Sequence, residues 1–499
     1  MAWVLLAVIL VAWGGALEAW FANDDFLWLD VSRVRPVLAS FAGSAGVMND
    51  FRPIVRVSLL LDWFLFGEQA IGWHIDNLAL HLACAWLFWR LVAPWLGTAP
   101  AALAALLFAA SPLLEENVVW ISGRSGSLGC LFGLISLLCW IRYLRQPRAR
   151  WLAAVIAADL AALASYEAMI VLPLFHAAIA YRTAEGAVKR LPWRALAVLV
   201  AAHLALALYR GLVLGSHISY QFRPVSALGL IELLRDYHPY LRLLRVPGWF
   251  LIFGVVALLE RRNRDLARAA LWVVGGIVLV MLPFVAFAGV ASRYFYLAMP
   301  GIALLLVILA WAIARFLPRW LGRAFVIIIV AVLLTREIRR AQAETSDWVT
   351  AGEIGQALIA KIAAADPAPT PNALHVVLDL PVTVGDGELF GTYPDRAIRR
   401  FSQLPFDALL GGQQIIRLSG KPEMIYLGKI LAEENQWRAS RGMPPLACLD
   451  TQLASALTTE MYLRNANKCG LDPLRVEDGE VRHIDAETLW KWYEGRQGK

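Results

Sequence analysis

Apolar residues run along this chain in blocks long enough to cross the hydrocarbon of a bilayer as helices, about 20 residues each. About eleven such blocks can be read, at 2–21, 74–96, 101–114, 128–143, 151–165, 168–181, 195–214, 240–259, 269–287, 294–316 and 325–335. The pattern then changes. Residues 336–365 read as a polar, helix-forming connector with a Leu/Ile stripe, closed by the breaker Asp366-Pro367-Ala368-Pro369-Thr370-Pro371. A strand-like run at 373–380 opens a small α/β domain. The expected organisation is a polytopic α-helical membrane domain over 1–335 with a first external loop at about 23–72. A connector at 336–371 and a soluble domain at 372–499 follow.

Composition supports the membrane reading. Of 499 residues 59% are hydrophobic and 17% charged, with 21 Trp, whereas soluble domains carry roughly 25% charged residues. The net charge of +7 does not point to nucleic acid, because the arginines sit in short clusters between apolar blocks. Arg142, Arg145, Arg148 and Arg150 form one cluster, and Arg182, Lys189, Arg190 and Arg194 another; Arg261, Arg262, Arg264 and Arg268, then Arg315, Arg319 and Arg323, make the third and fourth. All four fall in alternate loops, which the positive-inside rule assigns to the cytoplasm. The first block lacks a basic flank and is longer than a signal peptide's apolar core, so it is expected to be retained. The N-terminus is then cytoplasmic and the C-terminal domain external, in a bacterial inner (plasma) membrane.

The first block ends in Phe21-Ala22-Asn23-Asp24-Asp25-Phe26. Paired carboxylates at a helix mouth are expensive near hydrocarbon and mark Asp24 and Asp25 as candidate catalytic residues. A second acidic pair, Glu115 and Glu116, ends the third block, followed by Arg124. Two carboxylate stations with basic groups on one face suit a transferase: one carboxylate takes an acceptor proton and cations hold a departing phosphate. The bland alternative is that the acids merely solvate helix ends. Between these stations, 51–67 mixes apolar, aromatic and basic residues as a helix lying in the interface plane does. His74, Asn77 and His81 then share one helical stripe, a pattern that more often serves as helix–helix glue than as a ligand set. Cys448 and Cys469 can pair if their compartment is oxidising, whereas Cys84, Cys130 and Cys139 lie in apolar blocks as packing residues.

Asn23-Asp24-Asp25-Phe26, Phe51-Arg52-Pro53 with Leu61-Asp62-Trp63-Phe64-Leu65-Phe66-Gly67, and His74-x-x-Asn77-x-x-x-His81 occur in an order that resembles the GT-C membrane glycosyltransferases. Within them the chain is similar to the protein O-mannosyltransferase-like branch, which includes transmembrane O-mannosyltransferases with TPR tails. Ser111-Pro112-Leu113-Leu114-Glu115-Glu116-Asn117-Val118 running to Gly123-Arg124, Ser165-Tyr166-Glu167, and Ser292-Arg293-Tyr294-Phe295-Tyr296-Leu297 resemble further motifs of that branch. Ser111 stands for the family's His, Tyr166 for Lys and Ser292 for Asp, and no 34-residue period marks a TPR tail.

The resemblance implies inverting transfer of a sugar from a polyprenyl-phosphate donor to a hydroxyl acceptor on a protein, glycan or lipid, in a cavity on the external face. Asp24 or Asp25 would be the general base, with Glu115 and Glu116 as the second acidic motif. Arg124 and Arg293 would bind the lipid-linked phosphate. Tyr294, Tyr296, Arg52, His74 and His81 complete the donor-binding candidates. The residues themselves agree on mechanism, since a hydroxyl needs a base and a phosphate leaving group needs cations. No cofactor is expected. Asp24 and Glu116 have the hard oxygens a divalent cation takes, but the branch is regarded as metal-independent. The rival readings are a polyprenyl-lipid or small-molecule transporter or flippase, and a non-catalytic assembly subunit. The acids cluster at one face without an inverted repeat, unlike the midplane sites of transporters.

Overall fold

The computed structural model describes residues 1–34, 41, 51–184, 191–214, 264–285, 291–368, 374–381, 383–385, 387–390, 394–402, 408–411 and 471–494. It resolves into two compact units, Met1–Ala19 with Val31–Ser346, and Trp20–Asp30 with Asp347–Lys499.

The first unit is helical. Its helices in chain order are α1 (Ala2–Trp13), α2 (Asp25–Val34, begun in the second unit), α3 (Pro53–Phe66), α4 (Ala70–Leu96), α5 (Thr98–Ala109), α6 (Glu115–Val118), α7 (Ser125–Arg145) and α8 (Ala149–Ser165). They continue with α9 (Leu172–Thr183), α10 (Trp193–Leu214), α11 (Arg264–Val285), α12 (Met299–Ala314) and α13 (Arg319–Ala365). Among the described residues, four helical stretches are long and apolar enough to cross a membrane: Ala70–Leu96, Ile121–Arg145, Trp193–Leu212 and Leu266–Phe284. A fifth is bent by 62° between Thr98–Ala109 and Pro112–Val118, and Ala2–Glu18 and Met299–Ala314 are shorter apolar helices. The expected block at 240–259 lies outside the described residues, as do Cys448 and Cys469. Cys84, Cys130 and Cys139 are free thiols.

Local chemistry sets the breaks. Pro112 excludes the helical region at Ser111, whose backbone is extended at φ −70° and ψ 122°, and the chain turns there. Gly97, at φ 91°, stops α4 in a conformation that other residues adopt only under strain. The polar connector is no separate element: α13 runs unbroken from the last apolar block to Ala365. No proline falls between Thr335 and Asp366, and Ala, Arg, Glu, Gln and Ile outweigh Gly352 and Gly355 there, so the helix continues until Asp366-Pro367 ends it.

Small residues let α7 approach its neighbours closely. A Cβ added at Gly129 would sit 3.0 Å from the Tyr166 Cβ, and one at Gly126 only 2.6 Å from Asn117 Nδ2. The helix backbone therefore lies directly against the segments that carry Tyr166 and Asn117.

In the second unit, β1 (Leu374–Leu378) pairs in parallel with β4 (Ala408–Gly411) and β5 (Leu471–Glu477), and β6 (Glu480–His483) closes the sheet antiparallel to β5. Leu374, Val376, Val377 and Leu378 make β1 apolar on both faces apart from the buried His375, as suits a strand covered on both sides. A two-stranded ladder joins β2 (Thr383–Val384) to β3 (Gly387–Glu388), with α14 (Pro394–Phe401) following β3 and α15 (Ala486–Glu494) following β6.

Candidate functional site

Two stations in the helical unit combine arginine, carboxylate and aromatic side chains without being sealed from solvent. At the first, Arg293 lies in the turn Ser292–Phe295 and its Nη1 donates to Glu116 Oε2 at 2.6 Å. Its guanidinium also lies 5.6 Å from the Trp120 ring centre and 5.4 Å from that of Tyr294. Burial works to lower the proton affinity of Arg293, but the Glu116 carboxylate more than offsets it, so the group is held above its ordinary range and stays cationic. The Arg293 side chain keeps 37% of its surface exposed. Glu115 sits in the same turn of helix, beside Glu116 and Glu344.

The second station is built around Glu167, in the break between α8 and α9. Arg52 holds it in a two-pronged pair, Nε to Oε2 at 3.0 Å and Nη2 to Oε1 at 2.7 Å, and Arg210 Nη1 lies 3.7 Å from Oε2. Burial alone would raise the Glu167 carboxyl, but Arg52 and then Arg210 outweigh it and hold it down at about 2. Arg52 also lies 5.3 Å from the centre of the Tyr166 ring. An aromatic chain connects the stations: Tyr166 packs on Phe284 at 5.7 Å between centroids, and Phe284 stacks on Tyr294 at 4.7 Å.

Other candidates fall elsewhere. Arg124 is fully buried, with Nη1 2.6 Å from Asp62 Oδ2, Nε on the Ile121 carbonyl and Nη2 on the Trp73 carbonyl. It ties α3 and α4 to the start of α7, which gives it no reach to a ligand. His81 is buried between the Tyr296 hydroxyl, 2.8 Å from Nδ1, and the Ala109 carbonyl, 3.1 Å from Nε2. Asn77 Nδ2 donates to the Trp120 carbonyl at 3.1 Å, and His74 is buried on the same helix. In this structure Asn77, His81 and Tyr296 therefore join neighbouring segments.

The first acidic pair belongs to the second unit. Asn23 adopts φ 48°, its N–H donates to the Leu389 carbonyl, and its side chain donates to Glu388. Asp25 is buried and its Oδ2 accepts the Ala22 N–H at 3.0 Å, so its carboxylate closes the turn. Asp24, whose carbonyl accepts the Trp28 N–H, is only half-buried.

The sequence reading did not assign Arg210, Glu167 or Trp120 to the site. Arg210 had a signal: apart from Arg194 at the very start of the helix it is the one arginine of an apolar stretch, and such residues face protein or water rather than lipid. Among the described residues no group of three or more His, Cys, Asp or Glu side chains is arranged to hold a metal ion.

No protein-family model matches the chain. It is similar to the protein O-mannosyl-transferase TMTC2 of Mus musculus, 34% identical over 100 residues, which are 20% of this chain and 12% of that protein. It is likewise similar to Tmtc1 of Drosophila melanogaster, 28% identical over 177 residues, 33% of this chain and 21% of the fly protein. The chain thus spans only about an eighth to a fifth of these relatives. A crystal structure of ArnT from Cupriavidus metallidurans in the apo state aligns at a TM-score of 0.48 and 14% identity, covering 98% of this chain and 94% of that one. The same protein bound to undecaprenyl phosphate aligns at 0.45 and 15%, covering 83% and 90%. The relatives found by sequence are those that the motifs resemble: this chain is similar to the transmembrane protein O-mannosyltransferases.

Proposed function

We propose that the chain is a multi-pass GT-C glycosyltransferase that moves a sugar from a polyprenyl-phosphate donor to a hydroxyl acceptor, with inversion, at the external membrane face. The observation that carries this reading is the pair of stations with Arg52, Arg210 and Arg293. Three half-buried guanidiniums, each already oriented by a carboxylate, suit a phosphate whose lipid chain lies in the bilayer. Glu116 and Glu167 hold the cations in place. Asp24 is the proposed general base, because Asp25 is committed to its turn. The proposed topology has about eleven spans, with basic loops in the cytoplasm and the C-terminal α/β domain outside, where it would select the acceptor. No metal is assigned a role.

The test is transfer by the purified chain in nanodiscs, supplied with polyprenyl-phosphate mannose and a panel of hydroxyl-bearing peptides, glycans and lipids. The expected product carries the anomeric configuration opposite to that of the donor, and Asp24→Asn forms none of it. Absence of transfer to every acceptor class by well-folded protein, with no binding of the donor lipid, overturns the reading.

A further inference from the structure

Four helices bury a polar cluster that the proposed function does not use. Ser136 on α7, Asp159 on α8, His176 on α9 and His203 on α10 are all sealed within the helical unit. Ser136 Oγ lies 2.5 Å from Asp159 Oδ1 and 3.0 Å from His176 Nε2, bridging two groups that are themselves 3.7 Å apart. His176 Nδ1 faces the Leu172 carbonyl at 2.9 Å, and Trp140 Nε1 on α7 donates to the His176 carbonyl at 2.9 Å. His203 Nδ1 lies 2.9 Å from the Leu199 carbonyl and 3.9 Å from Asp159 Oδ2. Asp159 Oδ2 and His203 Nε2 have no hydrogen-bond partner among the described residues.

Hydrogen counting constrains this cluster. A carbonyl only accepts, so His176 Nδ1 carries a hydrogen, and Nε2 of a neutral ring is then an acceptor. An ionised Asp159 is also only an acceptor. Ser136 has one hydrogen and two close neighbours, so with a carboxylate and a neutral imidazole one of its contacts would set lone pair against lone pair. One more proton satisfies both: the Asp159 acid donates to Ser136 Oγ, and the Ser136 hydroxyl donates to His176 Nε2. The alternative, carboxylate with imidazolium, holds the same proton but places two opposite charges in an apolar interior, which is disfavoured.

We propose that Asp159, Ser136 and His176 form a binding site for a single proton, and that this proton locks α7, α8 and α9 together. Among the described residues, several other ionisable groups near α8 have partners of their own. On α3, Asp62 is held by Arg124, and Arg56 is buried with contacts of its own; Glu167 after α8 is held by Arg52 and Arg210; His203 donates to its own helix. His203 and Arg210 share a face of α10, two turns apart, so α10 meets α8 at Asp159 and the break after α8 at Glu167.

The test is reversible unfolding of the full chain in mixed micelles as a function of pH, comparing wild type with Asp159→Asn. The amide donates to Ser136 as the acid does, but binds no proton. Wild type keeps its proton when folded and loses it when unfolded above the ordinary aspartate range. Its unfolding constant should therefore rise, relative to Asp159→Asn, about tenfold per pH unit between about pH 5 and the release point. A ratio flat across pH 5–8, or failure of Asp159→Asn to fold at pH 6, overturns the proposal, since the amide reproduces the hydrogen bonds of the acid. His176→Gln is the second variant. Its amide oxygen still accepts the Ser136 hydrogen, so its unfolding constant relative to the double variant Asp159→Asn/His176→Gln should rise with pH above about 5 as wild type rises relative to Asp159→Asn, the histidine being absent from both. A flattened slope there places the titration on the imidazole and overturns the assignment.

Discussion

Arg124 and Arg293 are both paired with a carboxylate at 2.6 Å, yet they sit in opposite environments. The Arg124–Asp62 pair has 1% of either side chain exposed and is surrounded by backbone carbonyls, whereas Arg293 keeps 37% of its surface and Glu116 22%. Identical chemistry therefore has different consequences. A sealed pair holds helices together and resists disruption, because removing one partner strands a charge in an apolar interior. An open pair contributes little to stability, but its arginine is oriented and still accessible, which a ligand phosphate requires.

The largest expected effect breaks the sealed pair. Arg124→Ala should destabilise the helical unit by about 3–5 kcal/mol, the range for an orphaned buried charge. Arg293→Ala should change stability by no more than about 1 kcal/mol, as exposed pairs do. Chemical unfolding of both variants in the same micelles measures the difference. Equal losses would erase the distinction between the sealed and the open pair.

The same contrast divides the adjacent acids in the second unit. Asp24→Asn should lower the turnover of sugar transfer by about 10²–10⁴, the usual contribution of a general base, while leaving the unfolding midpoint in place. Asp25→Asn should instead act through the turn that Asp25 closes on Ala22, at about 1 kcal/mol of stability. Steady-state rates beside melting curves separate the two. If Asp25→Asn loses turnover and Asp24→Asn does not, the base is Asp25.

How much of this could be read in advance depends on what each residue's role requires. The block read over 101–114 breaks at Ser111-Pro112 and Glu167 was not assigned, whereas the apolar helices and the acidic pair Glu115-Glu116 follow from local composition, so they are legible from neighbours in the sequence. The fate of an arginine is not. Arg124 and Arg293 both follow aromatic or small residues next to apolar runs, and only the position of Asp62, on another helix, turns one of them inward. Likewise the stripe of His74, Asn77 and His81 announces a polar face, but whether that face meets a ligand or the Trp120 and Ala109 carbonyls depends on how the bent pair packs. Asp159 was illegible for the same reason, because its partners come from three other helices.

A smaller effect sharpens the open side of the comparison. Arg293→Lys retains the charge near Glu116 but loses the planar fork, so the donor KM should rise about tenfold with little change in turnover. Arg293→Ala should raise it further. A lysine variant indistinguishable from wild type would make Arg293 an interfacial anchor instead.

The smallest effect concerns Glu167, the carboxylate of the second station. Its carboxyl is held at about 2, below its ordinary 4.5, so the folded state binds its proton less readily than the unfolded chain. The stabilisation from its pairs with Arg52 and Arg210 is therefore fully present above about pH 4.5 and is lost as pH falls toward 2. Between pH 5 and 8 the stability difference between wild type and Glu167→Gln should be constant, and below 4.5 the two should converge. Unfolding curves collected from pH 3 to 8 measure this. A difference that grows steadily between pH 5 and 8 would mean that the Glu167 station titrates near neutrality, and that its two arginines are held less firmly than Arg293 is by Glu116.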